Sequence, residues 1–337
     1  MGDSIEIDGS TEEGGGQILR ISLALSSILG KPFRLHNIRA GRPNPGLRPQ
    51  HLAGVNAAAK MTNAKVKGAE VGSTELEFVP EKILGGRYDV DIGTAGSVTL
   101  LFQSILPILI YADRQSQITV TGGTHVTHSP TIDYYEHVFL PMIQKFGASA
   151  ELNVDSFGWF PKGRGRVTLF IRPSNLAAVD LKSKGNLVLI RGACSLSGLP
   201  EDILSREEGG IRSVFSGANI DKTVKQSLSQ GTAVTLWAEF DNSLMGASEL
   251  GKKGVRAESV GKAAASALQK DIDSKGTVDE WMADQLLLFM ALAKGKSQIL
   301  VPRMTSHVKT CLQIIPLFTG VLFETDKNLV SVEGIGR

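Results

Sequence analysis

Residues 16–38, GQILRISLALSSILGKPFRLHNI, contain the pattern that decides the fold. A helix-length apolar block, opened by small and polar residues, is followed by a Gly-Lys-Pro turn and a short apolar strand. The same order of features recurs at residues 95–120 and at residues 283–301. This repetition indicates one structural unit that the chain uses three times.

Each of the three blocks is followed by a polar loop, a second helix and two strands. The second helices are predicted near residues 50–61, 134–146 and 309–315. The strand pairs are predicted near residues 64–67 and 75–79, 150–154 and 166–171, and 320–324 and 329–332. Helices that alternate with short strands indicate an α/β architecture in which helices cover β-sheets.

A longer stretch, residues 184–277, separates the second unit from the third. Its pattern predicts a strand, a helix, a strand and a helix at residues 187–190, 201–215, 233–240 and 259–272. We therefore predict a main repeat domain of residues 1–183 plus 278–337, with residues 184–277 as a small inserted βαβα domain. The glycine-flanked, charged segment 246–258 is predicted to be an exposed loop.

The composition excludes several classes of protein. Hydrophobic residues make up 42% of the 337 residues and charged residues 21%, which is typical of a globular chain. A net charge of +2 is too small for a general nucleic-acid coat protein, so contacts with RNA should be local. Two cysteines form neither a disulfide framework nor a zinc quartet. No segment is apolar enough for a signal peptide or a membrane span, so we expect a cytoplasmic protein without a membrane partner.

Two glycine-rich turns lie between a predicted strand and a predicted helix. They are DGSTEEGGGQ at residues 8–17 and DIGTAGS at residues 91–97. Backbone N–H groups at such turns can approach phosphate oxygens, and the helix dipole favours the negative charge. Glu13 adds a carboxylate that can hold a divalent cation beside phosphates. The alternative is a turn without a ligand, because neither spacing is that of a P-loop or a dinucleotide fold.

A stiff basic loop, RAGRPNPGLRPQH, occupies residues 39–51 just before a predicted helix. Arg39 and Arg42 are suited to bidentate phosphate contacts, and Gln50 and His51 add donors at the start of the helix. The alternative is a solvated loop whose arginines meet water and surface carboxylates.

Further polar candidates lie on apolar helices or beside them. Gln103 is either a hydrogen bonder between helices or a ligand contact, and Asp284 is either an N-terminal cap or a functional carboxylate. His307 follows a predicted strand at residues 298–301 and precedes a helix, a position that suits either a structural or a catalytic histidine. His125 and His128 are three residues apart, but no third ligand has convincing spacing for zinc.

Taken together and in this order, these segments resemble the RNA 3′-terminal phosphate cyclase family over essentially the whole chain. The matching motifs are EGGGQ at 13–17, RAGRPNPGLRPQH at 39–51, DIGTAGS at 91–97, GGTHV at 122–126, ADQ at 283–285 and TSH at 305–307. Departures from the family's usual residues occur at Glu12, Trp281, Met282 and Cys311. Residues 157–165, FGWFPKGRG, also differ from the family's glycine-rich block, and they receive no role.

The resemblance implies three βαβαββ units, each similar to the C-terminal domain of translation initiation factor 3, with a small inserted domain. It also implies a ligase-type nucleotidyl transferase that uses ATP and Mg²⁺ or another divalent cation. In this reaction a histidine becomes adenylated, AMP passes to an RNA 3′-phosphate, and the adjacent 2′-hydroxyl closes a 2′,3′-cyclic phosphate.

The match also implies roles for single residues. His307 would be the nucleophile, and Glu13 would lie near the metal ion. The nucleotide would be held by Gln103, Trp281, Met282, Ala283, Asp284 and Gln285, with Trp281 stacking on adenine. The phosphates or the RNA end would be bound by Arg39, Arg42, Gln50 and His51.

Two other readings compete with the enzyme. One is a non-catalytic, cyclase-like RNA-binding protein of ribosome assembly, which lacks the nucleophilic histidine. The other is an enolpyruvyl transferase, whose fold is built from similar repeats. His307 together with an intact Ala-Asp-Gln motif at 283–285 favours the cyclase.

Overall fold

The apolar blocks of the sequence form helices that pack on four mixed β-sheets in this computed structural model, which describes residues 4–12 and 14–337. The predicted α/β class is therefore confirmed. The helices are α1 (Gly16–Leu29), α2 (Pro49–Thr62), α3 (Val98–Ile110), α4 (Ile132–Tyr134), α5 (Leu140–Gln144), α6 (Asp202–Arg212), α7 (Ala257–Asp273), α8 (Glu280–Leu292) and α9 (Ser306–Thr319). A π-helical segment, Tyr135–Phe139, joins α4 to α5.

The strands are distributed over the four sheets in groups of four. The first sheet contains β1 (Ile5–Asp8), β2 (Phe33–His36), β3 (Lys65–Lys67) and β4 (Leu76–Val79). The second contains β5 (Arg87–Asp91), β6 (Ser116–Gly122), β7 (Ser149–Ser156) and β8 (Gly165–Arg172). The third contains β9 (Asp180–Leu181), β14 (Lys294–Leu300), β15 (Phe323–Asp326) and β16 (Leu329–Ile335), and the fourth contains β10 (Leu187–Ser197), β11 (Asn219–Val224), β12 (Gly231–Phe240) and β13 (Leu244–Leu250).

The first three sheets share one order of strands. Their orders are β1-β2-β4-β3, β5-β6-β8-β7 and β9-β14-β16-β15, with the first pair parallel and the other two antiparallel. A parallel pair needs a crossover, and α1, α3 and α8 lie in the three crossovers. In the third sheet the crossover also contains the whole fourth sheet, α6 and α7.

The buried apolar side chains form two clusters. The larger one unites the first three sheets with α1, α3, α8 and α9, and in it Phe33 stacks on Phe78 and meets Phe318 edge-on. The smaller one lies between the fourth sheet and the helices α6 and α7, around Leu236 and Leu268. Within the described part of the chain, no helix is both long and apolar enough to cross a membrane.

The prediction of two strands and two helices for residues 184–277 is wrong, because this segment contains four strands. The missed strands, β11 and β13, are the two edges of the fourth sheet. Edge strands are exposed on one side, so in β11 (NIDKTV) only Ile220 and Thr223 are half-buried, and the strand lacks a strong apolar signal. In β13, Gly246 interrupts the pattern because its α-carbon lies against the Tyr134 ring. Residues 246–250 are therefore strand rather than loop.

Two adjacent glycines of α6 give a matched test of helix packing. A Cβ atom on Gly210 would lie 2.0 Å from the Glu258 carbonyl oxygen of α7, whereas a Cβ on Gly209 would meet nothing within 4 Å. We expect Gly210→Ala to destabilise the protein by about 1–3 kcal/mol through overpacking. Gly209→Ala should stabilise it by roughly 0.5–1 kcal/mol through helix propensity. Thermal unfolding of both variants checks this, and equal midpoints would contradict the close α6–α7 approach.

Candidate active site

His307 lies in the first turn of α9, where Thr305 caps the helix by accepting a hydrogen bond from the Val308 amide at 3.1 Å. The imidazole is partly buried. Burial lowers its pKa below the ordinary value, the charges of Arg20 and Arg42 lower it further, and the charge of Asp284 opposes them. The ring is therefore mainly neutral at pH 7, the form in which a histidine can act as a nucleophile.

Gln17, in the first turn of α1, holds the imidazole in place. Its Oε1 lies 2.7 Å from His307 Nδ1. Its Nε2 donates to Asp284 Oδ2 at 2.7 Å, and it also lies 3.3 Å from the His307 carbonyl and 3.2 Å from Cys311 Sγ. One nearly buried amide thus connects α1, α8 and α9.

These contacts fix the tautomer of His307. The amide nitrogen of Gln17 faces a carboxylate and a carbonyl, which only accept, so the amide oxygen must be the atom that faces Nδ1. Nδ1 therefore carries the proton and donates it to Gln17. In a neutral ring the lone pair then belongs to Nε2. The contacts with Gln17 therefore select the tautomer of neutral His307 in which Nε2 is the basic nitrogen.

Asp284 and Arg20 set the electrostatics beside the imidazole. Burial raises the pKa of Asp284 to about 6, although the charges of His307 and Arg20 favour its ionised form. Burial also lowers the pKa of Arg20, to about 10, so the guanidinium remains charged at pH 7. Among the described residues Arg20 has no hydrogen-bond or ion-pair partner, although Asp284 lies near enough to influence it. Such a cation attracts an anion to the cavity that it lines.

That cavity lies between α1, α3 and α8. Its polar lining consists of Gln17, Arg20, Gln103, Asp284 and Gln285. Gln103 donates to Gln285 Oε1 at 2.8 Å, and Gln285 in turn donates to the Trp281 carbonyl at 2.7 Å. The predicted nucleotide residues Gln103, Asp284 and Gln285 therefore come together in one place.

The other three residues predicted to hold the nucleotide differ in position. Met282 and Ala283 are fully buried, so they pack in the core instead of offering side chains to a ligand. The Trp281 side chain is 57% exposed, which leaves an aromatic face open for stacking. Asp279 caps this end of α8 by accepting from the Trp281 and Met282 amides.

The basic loop borders a second cavity, which Arg20 shares. This cavity is lined by Leu19, Arg20, Leu23, Gln50, His51, Gly54, Leu100, Leu101 and Ser104. His51 Nδ1 accepts from the Arg48 amide at 3.1 Å, so the neutral ring carries its proton on Nε2. Burial and the neighbouring arginines lower the pKa of His51 to about 3. Gly16 leaves room for this ring, because a Cβ there would lie 2.5 Å from His51 Nε2.

The remaining residues of the basic loop have different surroundings. Gln50 Oε1 accepts from the Ser97 amide at 3.1 Å, which ties the basic loop to the second glycine turn. Arg39 donates to the carbonyls of Asn44 and Gly46, at 2.6 and 3.2 Å, so it stabilises its own loop. Arg42 is near enough to His307 to lower the pKa of the imidazole.

The predicted metal ligand Glu13 lies outside the described residues. Across residues 4–12 and 14–337, no group of three or more His, Cys, Asp or Glu side chains is arranged to hold a metal ion.

The histidine pair of the 122–134 loop is split between the interior and the surface. His125 is buried, stacks on Trp159 and is held by Asp133 at 2.6 Å and Thr124 at 2.8 Å. His128 is exposed, with φ of +61°. His125 is therefore a core histidine of this loop, and the two rings do not share a site.

No individual role is predicted from the sequence for Arg20, or for Gln17, the last residue of the EGGGQ motif. Both lie on α1 three residues apart, and thus on the same face of an otherwise apolar helix. A glutamine and an arginine at this spacing on such a helix are the signal that could have identified them.

Comparison with known proteins extends this geometry. The family model described as RNA 3′-terminal phosphate cyclase matches residues 11–325. A protein of that name from Pyrobaculum aerophilum is 43% identical, with 99% of each chain covered. Another from Archaeoglobus fulgidus is 42% identical, covering 97% of this chain and 99% of the relative.

The chain belongs to the RNA 3′-terminal phosphate cyclase family. The predicted family is thus confirmed, and so is the predicted enzyme class, since the relatives are named as cyclases. A third relative of the same name, from Saccharolobus islandicus strain L.S.2.15, is 44% identical over 94% of this chain and 95% of its own.

Among solved structures, the chain is similar to the enolpyruvyl transferase NikO from Streptomyces tendae, with a TM-score of 0.41 and 10% identity. The match covers 99% of this chain and 50% of NikO. A likeness at this level carries no argument about fold or function.

The charge of Asp284 predicts the direction of a measurable pKa change in this cyclase-family site. Among the described residues Asp284 favours protonated His307, so Asp284→Asn should lower the pKa of His307 further below its ordinary value. An NMR titration of the imidazole checks this. Glu280→Gln, on the same helix, is the control and should leave the titration unchanged. A raised pKa in Asp284→Asn would contradict this electrostatic account.

Proposed function

We propose that this chain converts an RNA 3′-terminal phosphate into a 2′,3′-cyclic phosphodiester, with ATP as co-substrate and His307 as the adenylated nucleophile. The observation that carries the proposal is the Gln17 bridge, which fixes the proton on His307 Nδ1 and orients Nε2 for attack. The family membership supports both the RNA 3′-end and ATP as substrates.

The proposed reaction has three balanced steps. His307 Nε2 attacks the α-phosphorus of ATP, pyrophosphate leaves, and a histidine–AMP phosphoramidate forms. An oxygen of the RNA 3′-phosphate then attacks the adenylyl phosphorus and displaces the imidazole. Finally the ribose 2′-hydroxyl attacks the 3′-phosphorus, AMP leaves with its bond electrons, and the hydroxyl proton is released.

The half-buried cation of Arg20 supports this assignment of the cavity. Phosphoryl and nucleotidyl transfers depend on positioning and on neutralising charge at the phosphates. Arg20 lines both cavities, so its guanidinium can face phosphate oxygens held between His307 and Gln50. Trp281, at the exposed end of α8, would stack on the adenine.

The other histidines near the site fit the role of nucleophile less well. The lone pair of neutral His51 is directed at the Arg48 amide. His125 is buried, with both ring nitrogens in contact with Asp133 and Thr124. The non-catalytic alternative is not favoured, because His307 is present and the relatives are named as cyclases.

We also propose the finer architecture. The common strand order of the first three sheets supports three βαβαββ repeats like those of the initiation factor domain. The separate apolar cluster of the fourth sheet supports residues 184–277 as an inserted domain on a main domain of residues 1–183 plus 278–337. The divalent cation, with Glu13 near it, stays a prediction.

The nucleophile is tested by incubating the protein with α-labelled ATP. We expect label on the parent protein and none on His307→Ala, with His128→Ala as the matched control that keeps it. The label should be lost in acid and persist in alkali, as a phosphoramidate does and an acyl phosphate on Asp284 does not. Full labelling of His307→Ala, or an alkali-labile bond, would place the nucleophile elsewhere.

The division of the site between ATP and RNA is tested with Arg42→Ala. If Arg42 binds the RNA 3′-phosphate, the rate of cyclisation by Arg42→Ala should fall by about ten- to a hundredfold, because a charged hydrogen bond contributes roughly 1.5–3 kcal/mol. Self-adenylation should change much less. Both rates are measured at pH 8, where His307 is neutral whether or not Arg42 lowers its pKa. An equal loss in both rates would assign Arg42 to ATP.

A further inference from the structure

Two loops that the site does not use lie side by side. Residues 157–165 contact residues 225–230 of the fourth-sheet region, since the Phe157 amide donates to the Gln226 carbonyl and the Lys162 amide donates to Ser229 Oγ at 3.2 Å. Lys225 Nζ also lies 5.9 Å from the centre of the Phe157 ring. The two loops therefore form one continuous surface.

The first loop is held rigidly by close packing. Gly163 has φ of +67°, and a Cβ there would lie 2.7 Å from the Ala95 α-carbon. A Cβ on Gly158 would lie 2.1 Å from the Gly122 carbonyl oxygen. Trp159 is buried, where it stacks on His125 and contacts Gly231. The residue that follows Trp159 is therefore presented on a fixed support.

That following residue, Phe160, points an aromatic ring into solvent. Its side chain is 76% exposed, and Leu228 of the neighbouring loop is 63% exposed. With the exposed Lys162 they form what we name the Phe160 patch, namely Phe160, Lys162 and Leu228. An aromatic ring held on a rigid loop loses little conformational entropy when a planar group stacks on it.

The charge of the two loops is of one sign. Residues 157–166 contain Lys162, Arg164 and Arg166, residues 225–230 contain Lys225, and neither segment contains a carboxylate. Arg164 and Arg166 meet aspartates of other segments. Lys162 makes no side-chain hydrogen bond or ion pair with the described residues. The patch therefore combines an exposed aromatic ring with an available cation, the chemistry that binds single-stranded nucleic acid.

The Phe160 patch is also connected to the candidate active site through close packing contacts. Gly163 packs on Thr94 and Ala95, and Gly96 of the same turn packs on Gln50. Gln50 lines the cavity that contains Arg20 and His51. An RNA strand whose 3′-phosphate occupies that cavity would therefore lie next to the glycine turn of residues 91–97 and then next to the Phe160 patch.

We propose that the Phe160 patch binds the unpaired nucleotides just upstream of the RNA 3′ end, with Phe160 stacking on a base and Lys162 meeting a phosphate. This rests on the proposed cyclase function and adds to it a second contact region for the RNA. It assigns a role to residues 157–165, which the reaction itself does not employ.

The test compares a ten-nucleotide RNA 3′-phosphate with a dinucleotide 3′-phosphate. Phe160→Ala should weaken binding of the decamer by about tenfold, since one stacked base contributes on that scale. The same substitution should leave the affinity for the dinucleotide unchanged. Phe160→Trp should retain the affinity, whereas Phe160→Leu, which keeps an apolar side chain but no aromatic face, should not. Affinity is measured by fluorescence anisotropy, and KM and kcat are measured for cyclisation.

A control variant, a second variant of the patch and the labelling assay distinguish this proposal from the proposed function. Leu322 is an apolar residue that is 83% exposed and follows the C-terminal end of α9. Leu322→Ala should leave the affinity for both RNAs unchanged. Lys162→Gln should reduce the slope of log affinity against log salt by about 0.7, as expected for one lost phosphate contact. Unlabelled parent protein with α-labelled ATP would refute the cyclase function itself, while the binding assay still reports on the patch.

An unchanged affinity of Phe160→Ala for the decamer would overturn the proposal. The Phe160 patch would then be a candidate surface for binding a protein instead of RNA. An equal loss for both substrates would also overturn it, because the effect would then lie at the RNA end instead of upstream of it.

Discussion

The candidate site depends on a single side-chain amide, that of Gln17 in α1, which contacts polar groups of α8 and α9 at the same time. Its partners Asp284 and His307 lie 267 and 290 residues further along the chain. A buried amide without partners costs about 1–3 kcal/mol, so the packing of α1 against α8 and α9 and the hydrogen bonds support each other. Because the same amide selects the tautomer of His307, the packing of the core also decides which ring nitrogen carries the lone pair. In the proposed reaction, the reacting nitrogen is therefore selected by contacts between the first helix and the last two.

The sequence predicted those parts of the molecule whose signal is local. The long apolar helices and the alternation of helices with short strands are visible in it, because helix periodicity and turn residues are adjacent along the chain. The edge strands β11 and β13 were missed since exposure on one side weakens their pattern. His307, Asp284, Gln103 and Gln285 were predicted by resemblance, and the structure brings them together. Gln17 and Arg20 were missed because a polar residue on an apolar helix gains its meaning only from partners distant in sequence.

The electrostatics of the site are a balance between two half-buried opposite charges, those of Arg20 and Asp284. Arg20 favours the neutral form of His307, whereas Asp284 favours the protonated form. Burial acts in the same direction as Arg20, and together they leave a neutral imidazole beside a charged guanidinium. The proposed attack on ATP needs this combination, since a protonated imidazole cannot attack and the charge of an uncompensated polyphosphate would repel an electron-rich imidazole. Cys311 adds to the cluster a neutral sulfur, because burial raises its pKa well above the ordinary range.

A fully buried carboxylate, that of Asp279, connects the fourth sheet to the helix that carries part of this site. Asp279 caps α8 through the Trp281 and Met282 amides, and it also accepts from the Tyr134 hydroxyl at 2.9 Å and from the Gly246 amide at 2.9 Å. Gly246 belongs to β13, Tyr134 to α4, and α8 carries both Trp281 and Asp284. Because Asp279 is fully buried, each of these donors is needed to offset its desolvation. The helix that presents the carboxylate beside Gln17 is therefore positioned from one end by the fourth sheet and along its length by the core of the other three.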